Sequence, residues 1–213
     1  MRTYTISEIT RTWQGEGPYT GYPVTLVRFT GCNMYCLWCD QPRGRDWGQE
    51  YTLPELVRNL MTTPNRALLI TGGEPALQID DHLCEALDKY PQTVFIETNG
   101  SLMMPAWVYN KAVVVVSPKG AYPVVHGGLS NTFLKYVVPG DWNSVEDIAA
   151  SVQAISGTTY FSVWFQPQHR TIPSGGAGGF ALDVLFDWAD KYAALTGVVP
   201  SISLQTHKLL GIP

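Results

Sequence analysis

A chain of 213 residues can bury one sizeable hydrophobic core, and it fits a single domain over residues 1–213. Its net charge of −4 excludes the broad positive surface typical of nucleic-acid binding, and its longest apolar run, Ala112–Val116, is too short to span a membrane. Only 15% of its residues are charged and 45% are hydrophobic, so we expect part of the surface to be covered in an oligomer. Four cysteines without a secretory segment at the start indicate a cytoplasmic protein with reduced thiols.

Short apolar runs alternate with amphipathic stretches along the chain. The runs predict seven strands, and each is nearly all apolar, as strands covered on both faces are. They are Val24–Thr30, Ala67–Ile70, Thr93–Glu97, Ala112–Val116, Thr132–Val138, Phe161–Phe165 and Ser201–Leu204. The stretches predict helices over Leu53–Met61, Asp80–Tyr90, Ser144–Ile155 and Ala181–Ala194. This alternation is typical of a parallel sheet, and seven strands are too few to close an eight-stranded barrel. We therefore predict an α/β fold with an incomplete, open parallel β/α barrel.

Polar or glycine-rich segments follow six of these strands. In such folds ligands bind at the carboxyl ends of the strands, so we expect these segments to form one site. The segments are Gly31–Asp40, Thr71–Pro75, Glu97–Gly100, Ser117–Gly120, Gln166–His169 and Leu204–Lys208. A further glycine-rich segment, Pro173–Phe180, predicts a flexible surface loop that is either a plain connector or a mobile lid.

Three of the four cysteines lie close together, as Cys32, Cys36 and Cys39 in the pattern C-x3-C-x2-C. A disulfide would leave one of them unpaired, and Cys84 lies in a predicted helix, where we expect a small buried hydrophobic residue. Structural zinc usually takes four ligands from two separated pairs, so a zinc site would need a distant histidine. Three thiolates on one loop suit a 4Fe-4S cluster whose fourth iron stays open to a ligand. From these residues alone, zinc remains the alternative.

The cysteine pattern after the first strand, followed by Gly72-Gly73-Glu74 after the second, resembles the radical S-adenosylmethionine (radical SAM) enzymes. Motifs along the whole chain resemble more closely the 7-carboxy-7-deazaguanine synthase family. In chain order they are WQGEG, RFTGCN, WCD, TGGEP, ETNG, SPK and LQTHK. The resemblance implies a lyase of queuosine-type 7-deazapurine biosynthesis that contracts the ring of 6-carboxy-5,6,7,8-tetrahydropterin to 7-carboxy-7-deazaguanine with loss of ammonia. It also implies a 4Fe-4S cluster, S-adenosylmethionine, Mg²⁺, a homodimer, and an electron donor such as a flavodoxin or ferredoxin.

The resemblance further implies roles for individual residues, with no side chain assigned as acid or base. The cluster ligands are Cys32, Cys36 and Cys39. The S-adenosylmethionine residues are Trp38, Asp40, Gly73, Glu74, Ser117, Lys119 and Gln166. The substrate residues are Trp13, Gln14, Gly15, Glu16, Arg28, Thr71, His207 and Pro213, and Glu97 and Asn99 are expected to orient cofactor or substrate. The residue types agree with a pterin, which needs acceptors for its N–H groups, donors for its oxygens and a cation for its carboxylate.

One position departs from the family. The third cysteine is usually followed by Asp-Thr, whose hydroxyl binds magnesium, whereas this chain has Asp40-Gln41. The Gln41 amide oxygen, Asp40 or water could ligate instead, or the magnesium dependence could be weaker.

Two other functions stay open at this point. One is a radical SAM activating enzyme acting on a partner protein, which would have no use for WQGEG, Arg28 or LQTHK. The other is a non-catalytic zinc-binding interaction module.

Overall fold

The computed structural model describes residues 2–41, 47–62, 67–89, 93–120, 122–125, 131–156, 162–168 and 182–212. Within these ranges nine strands form one sheet. They are β1 (Thr3–Trp13), β2 (Pro23–Phe29), β3 (Gln49–Thr52), β4 (Ala67–Gly72), β5 (Thr93–Thr98), β6 (Val113–Val116), β7 (Thr132–Val138), β8 (Ser162–Pro167) and β9 (Ser201–Ile202). The α-helices are α1 (Leu53–Met61), α2 (Asp81–Asp88), α3 (Ala106–Lys111), α4 (Val145–Ser156), α5 (Leu182–Thr196) and α6 (Thr206–Leu210). None of these helices is long and apolar enough to cross a membrane.

The strands follow one another in the order β3-β1-β2-β4-β5-β6-β7-β8-β9. Every neighbouring pair from β2 to β9 is parallel. Strand β1 joins this sheet antiparallel to β2, and its other edge pairs with β3. Because β3 and β9 stand at opposite ends of the strand order, the barrel is open, as predicted.

Alternating side chains of the parallel strands form two separate apolar clusters. Outward-facing residues such as Ile70 and Ile96 pack with Leu83 of α2 and Val108 of α3 in the main core. Inward-facing residues near the starts of the strands form a smaller cluster of Val24, Leu26, Ala67, Leu69, Phe95 and Val113. This inner cluster fills the end of the barrel where the strands begin, so a cavity can form only toward their carboxyl ends.

The chain between β1 and β2 crosses the inner face of the sheet. Tyr19 lies on the inner cluster, with its ring centroid 4.8 Å from that of Phe95. The backbone N–H of Gln14 donates to the carbonyl of Tyr22 at 2.8 Å, and Gly21 donates back to Gln14 at 2.7 Å. The crossing chain thereby holds the WQGEG motif over the barrel interior.

The predicted parallel strands are all present, with ends shifted by at most two residues. The predictions omitted β1, β3, α3 and α6. Strand β1 lacks the uniformly apolar pattern of the predicted strands. It alternates polar and apolar residues because one of its faces is more exposed to solvent than the faces of the parallel strands. Helices α3 and α6, with six and five residues, are too short to show a helical period. The glycine-rich segment Pro173–Phe180, predicted to be a loop, lies outside the described residues.

Candidate active site

A cavity opens at the carboxyl ends of the parallel strands, and all six of the polar segments predicted from the sequence contribute to its wall. The WQGEG segment covers it from the side of β1. All but two of the predicted site residues line this cavity: Trp13, Gln14, Gly15, Glu16, Arg28, Cys32, Cys36, Trp38, Cys39, Asp40, Thr71, Gly73, Ser117, Lys119, Gln166 and His207. The exceptions are Glu74, which lies behind the wall, and Pro213, which is outside the described residues.

The cysteine loop follows β2 and presents three partly exposed thiols, none of them in a disulfide, to the cavity. The loop begins at Gly31, whose φ of +82° lies in the left-handed region that glycine tolerates. In the part of the chain that the structure describes, no three His, Cys, Asp or Glu side chains converge on a point where one metal ion could bind. A 4Fe-4S cluster does not need such convergence, because each cysteine binds a different iron. Three thiol donors that do not converge on one point therefore fit a 4Fe-4S cluster.

Gly72, the last residue of β4, and Gly73, the residue after it, hold this loop against the sheet. Gly73 donates its backbone N–H to the carbonyl of Phe29 at 3.0 Å, and Glu74 donates to that of Gly31 at 2.7 Å. A Cβ atom on Gly72 or Gly73 would collide with the backbone of Phe29 or Gly31, respectively. The backbones of the two segments can therefore meet only if both positions are glycine.

Glu74 is fully buried, and its carboxylate supports the cavity wall. Its oxygens accept hydrogen bonds from the Thr98 hydroxyl at 2.7 Å and from the backbone N–H groups of Asn99 at 2.7 Å and Ala76 at 2.9 Å. Burial raises the pKa of this carboxyl, although these hydrogen bonds oppose the shift. Glu74 thus joins the segment after β4 to the segment after β5, beneath the surface that a ligand would touch.

One side of the cavity carries a cation and an indole ring close to the thiols. The Lys119 ammonium donates to the carbonyl oxygen of Ser117 at 2.6 Å and to its hydroxyl at 2.8 Å. It also lies 5.2 Å from the ring centroid of Trp38, within the range of a cation–π interaction. The Trp38 indole N–H donates to the Asp141 carboxylate at 2.7 Å. Burial lowers the pKa of Lys119, and the neighbouring Cys36 opposes that shift.

Another part of the cavity wall is formed by polar side chains that hold one another in place. Glu97 accepts from the Gln14 amide at 3.1 Å and from the Thr71 hydroxyl at 3.3 Å, so it orients both predicted substrate residues. Arg28 donates from Nε to Glu8 at 3.0 Å, across the β1–β2 pair. Arg28 therefore forms an ion pair with a residue of the neighbouring strand and also lines the cavity.

A network of four charged side chains closes the cavity where α6 meets the cysteine loop. Lys135 pairs with Glu16, and Lys208 pairs with Asp40. The Gln205 amide joins the two pairs, donating to Glu16 at 2.7 Å and to Asp40 at 3.0 Å. Burial alone would raise the pKa of Glu16, but Lys135 outweighs it and holds that pKa below its ordinary value. Burial would likewise raise the pKa of Asp40, yet the ion pair with Lys208 lowers that pKa to about 2.

His207 packs directly on the WQGEG segment. A Cβ atom on Gly15 would collide with the His207 ring, which explains the glycine at that position. The adjacent Thr206 donates its backbone N–H and its hydroxyl to the Gly15 carbonyl at 2.9 and 3.1 Å. Burial lowers the pKa of His207, although Glu16 opposes that shift.

Several residues of the site were not predicted. Lys135 is the clearest example. The sequence feature that could have revealed it is a single charged residue inside the otherwise mostly apolar strand Thr132–Val138. Gln205 and Lys208 lie in LQTHK, from which only His207 was selected. Asp141 carried no sequence signal, because its role depends on the turn after β7 reaching Trp38.

Comparison with known proteins gives consistent matches. Residues 26–126 match the radical SAM superfamily. The 7-carboxy-7-deazaguanine synthases of Burkholderia multivorans and Caulobacter vibrioides are each 31% identical to the chain, over 99% of it and all of their own length. That of Bacteroides thetaiotaomicron is 40% identical over 47% of the chain, a match that spans about half of the relative (54%). The crystal structure of QueE from Escherichia coli shares the fold, with a TM-score of 0.67, 22% identity and coverage of 95% of this chain and 93% of that one.

Proposed function

Because the chain belongs to the 7-carboxy-7-deazaguanine synthase family of radical SAM proteins, we propose that it converts 6-carboxy-5,6,7,8-tetrahydropterin to 7-carboxy-7-deazaguanine with loss of ammonia. The observation that carries this proposal is the shared cavity, whose wall holds the three cysteines, the expected cofactor residues and the expected pterin residues together. A zinc module or an enzyme acting on a partner protein would leave the Gln14–Glu97–Thr71 group and the Glu16 network without a purpose.

The radical SAM family implies a 4Fe-4S cluster and S-adenosylmethionine. When bound, the two would supply the radical that removes a hydrogen atom from the substrate. We assign the cluster to Cys32, Cys36 and Cys39. The cofactor residues next to them include Trp38, a flat apolar face for an adenine, and Lys119, a partly buried cation for a carboxylate or ribose oxygen. Asp40, Gly73, Ser117 and Gln166 complete this group, and Glu74 acts from behind by fixing the segments after β4 and β5.

Arg28 is the residue we propose for the substrate carboxylate. It uses Nε for Glu8, and this bond holds the guanidinium against the cavity wall with its Nη groups available for a second carboxylate. Its side chain is 14% exposed, so little water competes for those donors. Binding the carboxylate there would orient the ring toward the cysteine loop.

Gln14, Glu16, Thr71 and His207 are the residues we propose for the pterin ring. Glu16 accepts from Lys135 and Gln205, and each carboxylate oxygen retains a second lone pair that can accept a ring N–H. Gln14 and Thr71 are fixed by Glu97, so their polar groups are oriented before the substrate binds. Trp13 and Gly15 shape the same wall, and Pro213 stays a prediction because it lies outside the described residues.

We also propose a homodimer in the cytoplasm, reduced by a flavodoxin or ferredoxin. Tyr35 and Leu37, which flank Cys36, expose 84% and 103% of their surface, and an electron donor must approach this loop.

We propose no role for magnesium. Asp40 is already bound by Lys208 and Gln205, and Gln41 stands where the family usually has threonine.

The direct test is an anaerobic reaction of the reconstituted protein with a reductant, S-adenosylmethionine, 6-carboxytetrahydropterin and millimolar magnesium, with the products identified by mass spectrometry. We expect 7-carboxy-7-deazaguanine from the wild-type protein and none from Cys36→Ala, whereas Cys84→Ala, a matched control in the core, should retain the activity. Formation of 5′-deoxyadenosine without the deazaguanine would contradict the proposed substrate. Absence of both from cluster-loaded protein would contradict the enzyme assignment.

A further inference from the structure

We propose that the Lys208 ammonium serves as the cation beside the cysteine loop, in place of a magnesium ion, so that this protein works without a divalent metal. The inference rests on the proposed function, because it concerns a cofactor that the family implies. Asp40 directly follows the last cluster cysteine, and its carboxylate is the described acidic group closest to that cysteine in the sequence. In this structure the carboxylate is already paired with Lys208.

One carboxylate oxygen of Asp40 is already shared by two donors. Oδ2 accepts from the Lys208 ammonium and from the Gln205 amide, the latter at 3.0 Å. Lys208 also donates to the amide oxygen of Gln205 at 3.0 Å, so the three side chains form a closed triangle. Magnesium requires oxygen ligands at about 2.0–2.1 Å in an octahedron. To bind Oδ2 it would have to displace donors from that oxygen and break the triangle.

The charge balance of the network also opposes a divalent cation. Two carboxylates, Glu16 and Asp40, are paired with two ammonium groups, Lys135 and Lys208, and Gln205 links the pairs. The four charges therefore sum to zero. A magnesium ion would add two positive charges next to two ammonium groups in a partly buried site, where charges interact more strongly than in water. Among the described residues no group of three His, Cys, Asp or Glu side chains offers such an ion a site.

The Lys208 ammonium is held beside the cavity, against Asp40 of its wall, and is not a loose surface group. Helix α6 is anchored at its first residue, Thr206, by two hydrogen bonds to the Gly15 carbonyl, at 2.9 and 3.1 Å. It ends at Gly211, whose φ of +66° is a left-handed cap. The Lys208 side chain is 21% exposed. Anchored in this way, a lysine supplies a fixed point charge with three donors, which can hold Asp40 and an anionic ligand together.

A binding experiment tests this inference without relying on turnover. Cluster-loaded, chelator-treated protein with S-adenosylmethionine and the pterin would be titrated with Mn²⁺, and binding that Mg²⁺ displaces would be followed by electron paramagnetic resonance. We expect no such site in the wild type below millimolar metal. Lys208→Met should create one that binds at least tenfold more tightly, and the double variant Lys208→Met/Asp40→Asn should lose it. Lys191→Met, which removes an exposed ion pair to Asp187, is the matched control and should resemble the wild type.

A wild-type site of micromolar affinity that Asp40→Asn removes would overturn the inference, as would a folded Lys208→Met or Lys208→Gln variant that gains no site. An activity measurement adds a second test. Wild-type product formation should be the same with a chelator as with millimolar magnesium, and loss of product on chelation with recovery on adding magnesium would contradict the inference. A protein that makes no product under either condition contradicts the proposed function instead, and the Mn²⁺ titration then decides this inference.

Discussion

The Lys135 ammonium binds the Glu16 carboxylate across 119 residues of sequence and joins β7 to the chain segment that crosses the barrel. Only 7% of the Lys135 side chain and 12% of the Glu16 side chain are exposed. The pair therefore fixes the WQGEG segment over the cavity, and each charge depends on the other for its compensation.

Removing one member of this pair should destabilise the protein strongly. Lys135→Met leaves Glu16 buried without its cation, so we expect a loss of roughly 3–5 kcal/mol in the free energy of unfolding, measured with urea. The double variant Lys135→Met/Glu16→Gln removes both charges and should recover most of that loss. A single variant that loses less than about 1 kcal/mol would show that the pair is solvated like a surface ion pair.

The stability should fall in mildly acidic solution because of His207. Burial lowers the pKa of His207 in the folded protein, so the unfolded chain binds the proton more readily. The stability that neutral His207 contributes to the folded protein is complete above the unfolded pKa of about 6.5 and is lost as the pH falls below it. Urea unfolding at pH 7.5 and 5.5 should therefore show a larger loss for the wild type than for His207→Gln. Equal losses would mean that His207 titrates as freely in the folded state as in the unfolded chain.

The close contact at Gly73 should be required for cluster loading. In Gly73→Ala the new Cβ would collide with the Gly31 carbonyl and push the cysteine loop off the sheet, so we expect iron and sulfide content after reconstitution to fall severalfold. Gly197→Ala is the control. It places a Cβ in open space at a φ of +75°, which should cost about 1–2 kcal/mol of stability and leave the cluster intact. Equal cluster loading in both variants would contradict a specific role for this contact.

Asp141 should contribute to cofactor affinity by positioning Trp38. Its carboxylate accepts the indole N–H at 2.7 Å, and a hydrogen bond of this kind contributes about 0.5–1.5 kcal/mol. We expect Asp141→Ala to weaken S-adenosylmethionine binding by about two- to tenfold in calorimetry of the cluster-loaded protein. Asp187→Ala, on the exposed face of α5, should leave the affinity unchanged. An unchanged affinity in Asp141→Ala would show that Trp38 keeps its position without this bond.

The sequence predicted the parallel part of the sheet because strands buried on both faces are uniformly apolar, as in Val113–Val116. It also predicted most of the cavity wall, because the carboxyl ends of parallel strands meet at one rim. It could not place Glu74, whose burial depends on hydrogen bonds from Thr98 at the end of β5 and from Asn99 just after it. It could not pair Lys135 with Glu16 either, since that contact exists only after the WQGEG segment has crossed the barrel.

The most direct test of the account is hydrogen transfer from the pterin to the cofactor. The central claim is that one cavity holds both molecules, so the radical formed from S-adenosylmethionine should act on the pterin. With 6-carboxytetrahydropterin deuterated at its ring carbons, mass spectrometry should show deuterium in the 5′-deoxyadenosine, together with 7-carboxy-7-deazaguanine. Unlabelled 5′-deoxyadenosine without the deazaguanine, from cluster-loaded protein saturated with the pterin, would contradict the claim.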